Sequence, residues 1–107
     1  MNLRQLRYFI AVAETLSFSR AAERCAVTQS TLSIQLRKLE EYLGVTLFER
    51  DRSHVALTPH GREVLELART AVQAADQIIA SCRRRRRERE AIRPQGERLI
   101  DDINHLL

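Results

Sequence analysis

A chain of 107 residues, 44% hydrophobic and 30% charged, makes one small domain with an appendage, and its modest core excludes a large substrate pocket. The formal net charge of +4 is concentrated, because residues 83–93 hold seven arginines and two glutamates, a local +5. Outside that segment broad basicity is excluded, and any affinity for a polyanion must come from a few placed cations.

Leu3, Leu6, Phe9, Ile10, Ala13 and Leu16 recur at helical spacing and predict a first helix over 3–16 with these residues toward a core. Ser19 is read as the cap of a second helix, whose Ala21, Ala22 and Cys25 form a small side that lets another helix cross closely. The turn Ala26-Val27-Thr28 contains no glycine, and Val27 is expected to plug the corner. Thr28 caps a third helix in which Leu32, Leu36, Leu39 and Leu43 form one buried stripe. Gln29, Ser30, Ser33, Ile34, Arg37 and Lys38 share its opposite face, and Gly44 stops it. Residues 47–50 and 54–57 alternate as two short strands joined by Asp51-Arg52-Ser53, a hairpin wing that must lean on the helices through Leu47, Phe48, Val55 or Leu57.

Thr58 and Pro59 open a long helix with two adjacent apolar stripes: Leu65, Ala68, Val72, Ala75, Ile79 and Cys82, and beside it Val64, Leu67, Ala71, Ala74 and Ile78. Two stripes are too wide for one seam, so one is expected on the winged body and the other on a partner helix, with Val64, Leu65, Ala68, Val72, Ala75 and Ile79 assigned to dimerisation. The five arginines from Arg83 to Arg87 read first as a solvated helix end favoured by the helix dipole, and second as a contact to nucleic-acid phosphates. Arg93-Pro94-Gln95-Gly96 breaks the helix, and 97–107 is expected to form a short amphipathic helix through Leu99, Ile103 and Leu106 or Leu107.

The fold class is therefore mainly α: a winged helix-turn-helix of three helices and a two-stranded β-hairpin, followed by a long linker or dimerisation helix. Such a third helix presents its first turn to the major groove of double-stranded DNA, so Gln29, Ser30, Thr31, Ser33 and Ile34 are the expected base readers. Ile34 offers only an apolar contact, such as a thymine methyl. Arg4, Arg20, Thr28, Arg37, Lys38, Arg50, Arg52 and His54 are expected on the backbone or in the wing, with Thr31 also suited to positioning and Arg52 best suited to a narrow A·T minor groove.

An enzyme is not expected. His54, His60 and His105 form no ligand pair, there is no phosphate loop or nucleophile motif, and no metal or cofactor is expected. Cys25 and Cys82 fall on predicted buried faces and read as reduced core thiols. No apolar run approaches the roughly 20 residues of a membrane span, and the chain begins in an amphipathic helix rather than a signal peptide, so a cytoplasmic location is expected. A winged-helix module that binds protein is the competing reading, but its exposed face would be aromatic or apolar, whereas this one is Gln, Ser, Ser, Arg and Lys with Ile34 alone.

Leu3-Arg4-Gln5-Leu6-Arg7-Tyr8-Phe9, Ser17-Phe18-Ser19-Arg20-Ala21-Ala22-Glu23, the run from Thr28 to Glu40, Leu43-Gly44-Val45-Thr46-Leu47-Phe48-Glu49-Arg50 and Leu57-Thr58-Pro59-His60-Gly61 together resemble the N-terminal winged helix-turn-helix of LysR-type transcriptional regulators. The resemblance covers residues 1–82. Ser30 stands where the family usually has proline and Ile34 where it often has arginine, while Cys25 and Thr31 resemble the peroxide-sensing branch. The resemblance implies a sequence-specific regulator that binds pseudo-palindromic promoter sites as a homodimer through an antiparallel linker helix, with tetramers or heterodimers with full-length relatives as further assemblies. It divides the chain into 1–58 (DNA-binding), 59–92 (linker helix) and 93–107 (tail), with no effector domain and no small-molecule site. A truncated regulator competing with full-length relatives is the alternative in the same class.

Overall fold

The computed structural model describes residues 1–91, and the expectation for 93–107 lies outside them. The order is α1 (Leu3–Thr15), α2 (Phe18–Arg24), α3 (Gln29–Leu43), β1 (Phe48–Arg50), β2 (Val55–Leu57) and α4 (Pro59–Ala91). Two compact units result, Met1–Ala74 and a second beginning at Ala75.

In the first unit α1 is capped by Asn2, whose side chain accepts from the Gln5 N–H at 2.8 Å, while the Gln5 side chain accepts from the Asn2 N–H at 3.3 Å. This reciprocal box satisfies two of the helix's orphan donors. At the other end Leu16 takes a left-handed conformation, φ 51. Leu3 and Leu16 therefore do not join the core as the periodicity suggested, and are 43% and 49% exposed. Leu3 sits in the first turn, and Leu16 has left the helix that would have continued its stripe.

Ser17, not Ser19, caps α2, its hydroxyl accepting from the Arg20 N–H at 3.2 Å. Starting two residues earlier brings Phe18 into the helix and the core, where its ring meets Phe48 edge-on at 6.0 Å. The turn into α3 places Ala26 at φ 56, where glycine would be relaxed and alanine costs about 1 kcal/mol. The Val27 N–H donates to the Ala22 carbonyl at 3.0 Å and holds that turn closed.

Thr28 caps α3 and Gly44 ends it in the left-handed region, φ 72, its N–H donating to the Glu40 carbonyl at 2.8 Å. Leu32, Leu36 and Leu39 are fully buried with Phe9, Val12 and Leu47, so three helices share one core, and the Phe9 ring tilts against Phe48 at 5.4 Å. Leu43 packs at its edge.

β1 and β2 pair antiparallel, Phe48 opposite Leu57 and Arg50 opposite Val55. Two strands alone are marginal in water. The base of this wing is fixed through the Leu47 backbone, whose N–H donates to the Glu40 carboxylate at 2.7 Å and whose carbonyl accepts from the Thr58 N–H at 3.0 Å. Buried Thr58 donates its hydroxyl to the Thr46 carbonyl at 2.6 Å and accepts from the Gly61 N–H at 2.9 Å, which caps α4.

Within the first unit Leu65 and Ala68 of α4 are buried and Val64 and Val72 pack against the same core. Of the six residues assigned to a partner, Val64, Leu65, Ala68 and Val72 thus cover this chain's own body, while Leu67, Ala71 and Ala74 are exposed. In the second unit residues 76–91 are exposed and Ala75 is half-buried. Cys82 is exposed and Cys25 only half-buried, so neither is the core thiol expected.

Candidate nucleic-acid interface

Burial of the leucine stripe turns the polar side of α3 outward. Gln29, Ser30, Ser33 and Ile34 line one shallow depression, with Ile34 51% exposed. Thr31 stands apart from these four: its N–H donates to the Thr28 hydroxyl oxygen at 3.1 Å, and its own hydroxyl accepts from that of Thr28 at 2.9 Å. It is tied into the cap, and beside it the α3 start presents one amide, two hydroxyls and one apolar side chain as a contiguous patch.

Arg37 and Lys38 are exposed further along α3, Arg20 on α2 and Arg4 in the first turn of α1. Arg37 and Arg50 border an open groove with Glu40, Glu41, Gly44, Val45, Thr46 and Phe48. Arg50 does not extend from the wing tip. Its guanidinium lies over the Phe18 ring, 4.0 Å from the centroid, a cation–π contact that holds the charge at the base of the wing.

Arg52 and His54 are exposed in the wing tip, where the Asp51 N–H donates to the His54 carbonyl at 3.0 Å. Asp51 accepts from the Ser53 N–H at 2.9 Å, and that bond holds its carboxyl below the ordinary carboxylate range against desolvation, with His54 adding to the lowering. The tip therefore carries a persistent negative charge beside Arg52. Arg24 and Arg69 face Glu14 at 2.8 and 3.7 Å and are committed within the body.

Two side chains that position α3 had no assigned role in the sequence reading. Gln5, buried, donates from Nε2 to Oε1 of Gln35 at 3.1 Å and so ties the cap of α1 to the middle of α3. The Asn-x-x-Gln spacing is a capping-box signature that was available in the sequence. Glu40 anchors Leu47 through a bond no local pattern announces.

Burial pushes the Cys25 thiol up, with Arg24 opposing, which is unlike a reactive thiolate. Among the described residues no group of three His, Cys, Asp or Glu could hold a metal, and no helix is long and apolar enough to cross a membrane.

Residues 3–62 match the family described as bacterial regulatory helix-turn-helix protein, lysR family. The chain is 48% identical over 86 residues to the HTH-type transcriptional regulator IlvR of Caulobacter vibrioides, covering 80% of this chain and 29% of that protein. It is 49% identical over 73 residues to the hydrogen peroxide-inducible genes activator of Pectobacterium carotovorum subsp. carotovorum, covering 68% and 24%. These similar identities single out no branch, and the chain spans under a third of either relative. The crystal structure of the BenM DBD/catB site 1 DNA complex superposes with a TM-score of 0.75 at 40% identity, covering 78% of this chain and 94% of that one.

Proposed function

The chain belongs to the lysR family of bacterial regulatory helix-turn-helix proteins, and from that premise we propose that it is a DNA-binding transcription regulator that recognises pseudo-palindromic duplex sites as a homodimer. The observation that carries the reading is the outward patch of exposed Gln29, Ser30 and Ile34 with half-buried Ser33, on a helix whose other side is locked into the core. Gln29 supplies the fork that suits adenine N6 and N7, the serines bond either kind of base edge, and Ile34 meets a thymine methyl. Arg4, Arg20, Arg37 and Lys38 fix the register on phosphates, Thr28 and Thr31 order the helix start, and Arg52 with His54 reaches the groove beside the wing. Arg50, held on Phe18, acts as a fixed phosphate contact at the wing base. Likeness to a DNA-bound relative supports the same docking.

The homodimer forms through the stripe of α4 that the body leaves open, Leu67, Ala71 and Ala74 continued at helical spacing by Ile78. Leu67 is 70% exposed and Ile78 is 65% exposed, and the alanines allow close helix approach. Two-fold symmetry of the protein then requires inverted half-sites.

Gln29→Ala tests the reading surface. It should weaken discrimination at one base pair per half-site by about 1 to 3 kcal/mol and leave the other positions unchanged, as measured by competition among singly substituted duplexes. A loss spread evenly over all positions, or none, would contradict the assignment.

A further inference from the structure

Six of the seven residues from Arg83 to Arg89 are arginines, all on a described and exposed stretch of α4, against Asp76, Glu88 and Glu90 as the acidic groups of 75–91. Arg83, Arg84 and Arg87 border one side of the helix together with Asp76, Ile79 and Ala80. At roughly 100° per residue, Arg85, Arg86 and Arg89 fall on the remaining sides. Arg86 meets Glu90 at 3.4 Å, an exposed i,i+4 pair that contributes little.

Helix stability does not account for this run. One or two cations complement the dipole of a last turn, whereas Arg83 with Arg87 and Arg85 with Arg89 are like-charge i,i+4 pairs that oppose the helix. The charge density instead suits a polyanion: six cations within about 10 Å of helix rise put two or three on whichever side meets a duplex that carries one phosphate charge per roughly 1.7 Å of its axis. Guanidinium forks also bind phosphate bidentately, which ammonium groups do not. Residues 1–74, by contrast, hold ten Lys and Arg against eight Asp and Glu, so the reading unit brings little long-range attraction of its own.

We propose that the arginine run of α4 is a second, sequence-independent contact to the phosphates of duplex DNA, separate from the α3 reading patch. The inference rests on the DNA-binding function proposed above. Because the cations surround the helix axis, they impose no register, and they strengthen binding to every sequence alike.

The test compares the full chain with its fivefold variant R83Q/R84Q/R85Q/R86Q/R87Q, glutamine being a good helix former whose helicity circular dichroism checks. Affinities are titrated against salt on a random 30-base-pair duplex and on a selected site. The variant should lose about 2 per chain from the slope of log affinity against log salt on both duplexes, since only about half of the run can face one duplex at a time, so that tripling the salt costs the unaltered chain roughly ninefold more affinity than the variant. Base preferences should be unchanged, and a fivefold lysine variant should keep most of the slope. Equal slopes with and without the arginines overturn the proposal while leaving the reading patch intact. So does a variant that loses binding only to phosphatidylglycerol vesicles. A slope lost on random duplex by a protein that prefers no sequence would uphold the arginine contact and overturn the function from which it was reached.

Discussion

Leu67→Asp is expected to lower affinity for a duplex carrying two inverted half-sites by about two orders of magnitude or more, while affinity for a single half-site stays unchanged. Leu67 is 70% exposed in the isolated chain, so an aspartate there meets water and leaves the fold alone. In the proposed antiparallel pair the same carboxylate is buried without a partner near one end of the helix–helix contact, and two-fold symmetry repeats that burial at the other end. Sedimentation would show the dimer dissociating, and circular dichroism would show the helices retained. Val72→Asp looks equivalent in sequence but is a poor probe, since Val72 packs on its own chain's core and the charge would unfold the body that reads DNA. A Leu67→Asp protein that remains dimeric would move the seam elsewhere.

Gly61→Ala should destabilise the protein by about 2 to 3 kcal/mol, lowering its melting temperature by roughly 10 to 20 °C. Helix propensity alone argues the opposite sign, because alanine inside a helix is favoured over glycine by about 1 kcal/mol. The reason for the reversal is the backbone: a Cβ at position 61 would overlap the Leu47 carbonyl oxygen and press on Leu57. That carbonyl already accepts from the Thr58 N–H, so it cannot move without loosening the junction of α3, wing and α4. Gly44→Ala is the companion measurement. Nothing lies within 4 Å of a Cβ there, and the cost is the left-handed φ of 72 alone, about 1 kcal/mol. A rise in melting temperature for Gly61→Ala would contradict the close approach.

Elements whose residues carry both a period and a punctuating signal were legible before the structure. Leu32, Leu36 and Leu39, with Thr28 before them and Gly44 after, specify α3 to its ends. The same holds for the wing, where alternation and a polar turn coincide. Errors fell where two local signals compete. Ser17 and Ser19 both satisfy a cap, and the choice is made by Phe18 reaching Phe48, a contact across thirty residues. The two stripes of α4 are equivalent on a helical projection, and only packing of Leu65 and Ala68 on the body decides which one is left open.

Thr31 shows the same limit within the interface, since a hydroxyl in the first turn serves a cap or a base equally well until the Thr28 bond is seen. Arg50 is read from sequence as a wing cation, and the Phe18 ring that holds it at the base comes from another element. Long-range partners, rather than residue types, were what the sequence lacked.

Selection of bound sites from a pool of random duplexes by the full chain tests the central claim most directly. The account predicts an inverted repeat whose half-sites have their strongest preferences at the base pairs facing Gln29, Ser33 and Ile34, including thymine at the position opposite Ile34. Enrichment of no sequence at all, or of a single half-site without its inverted copy, would contradict it.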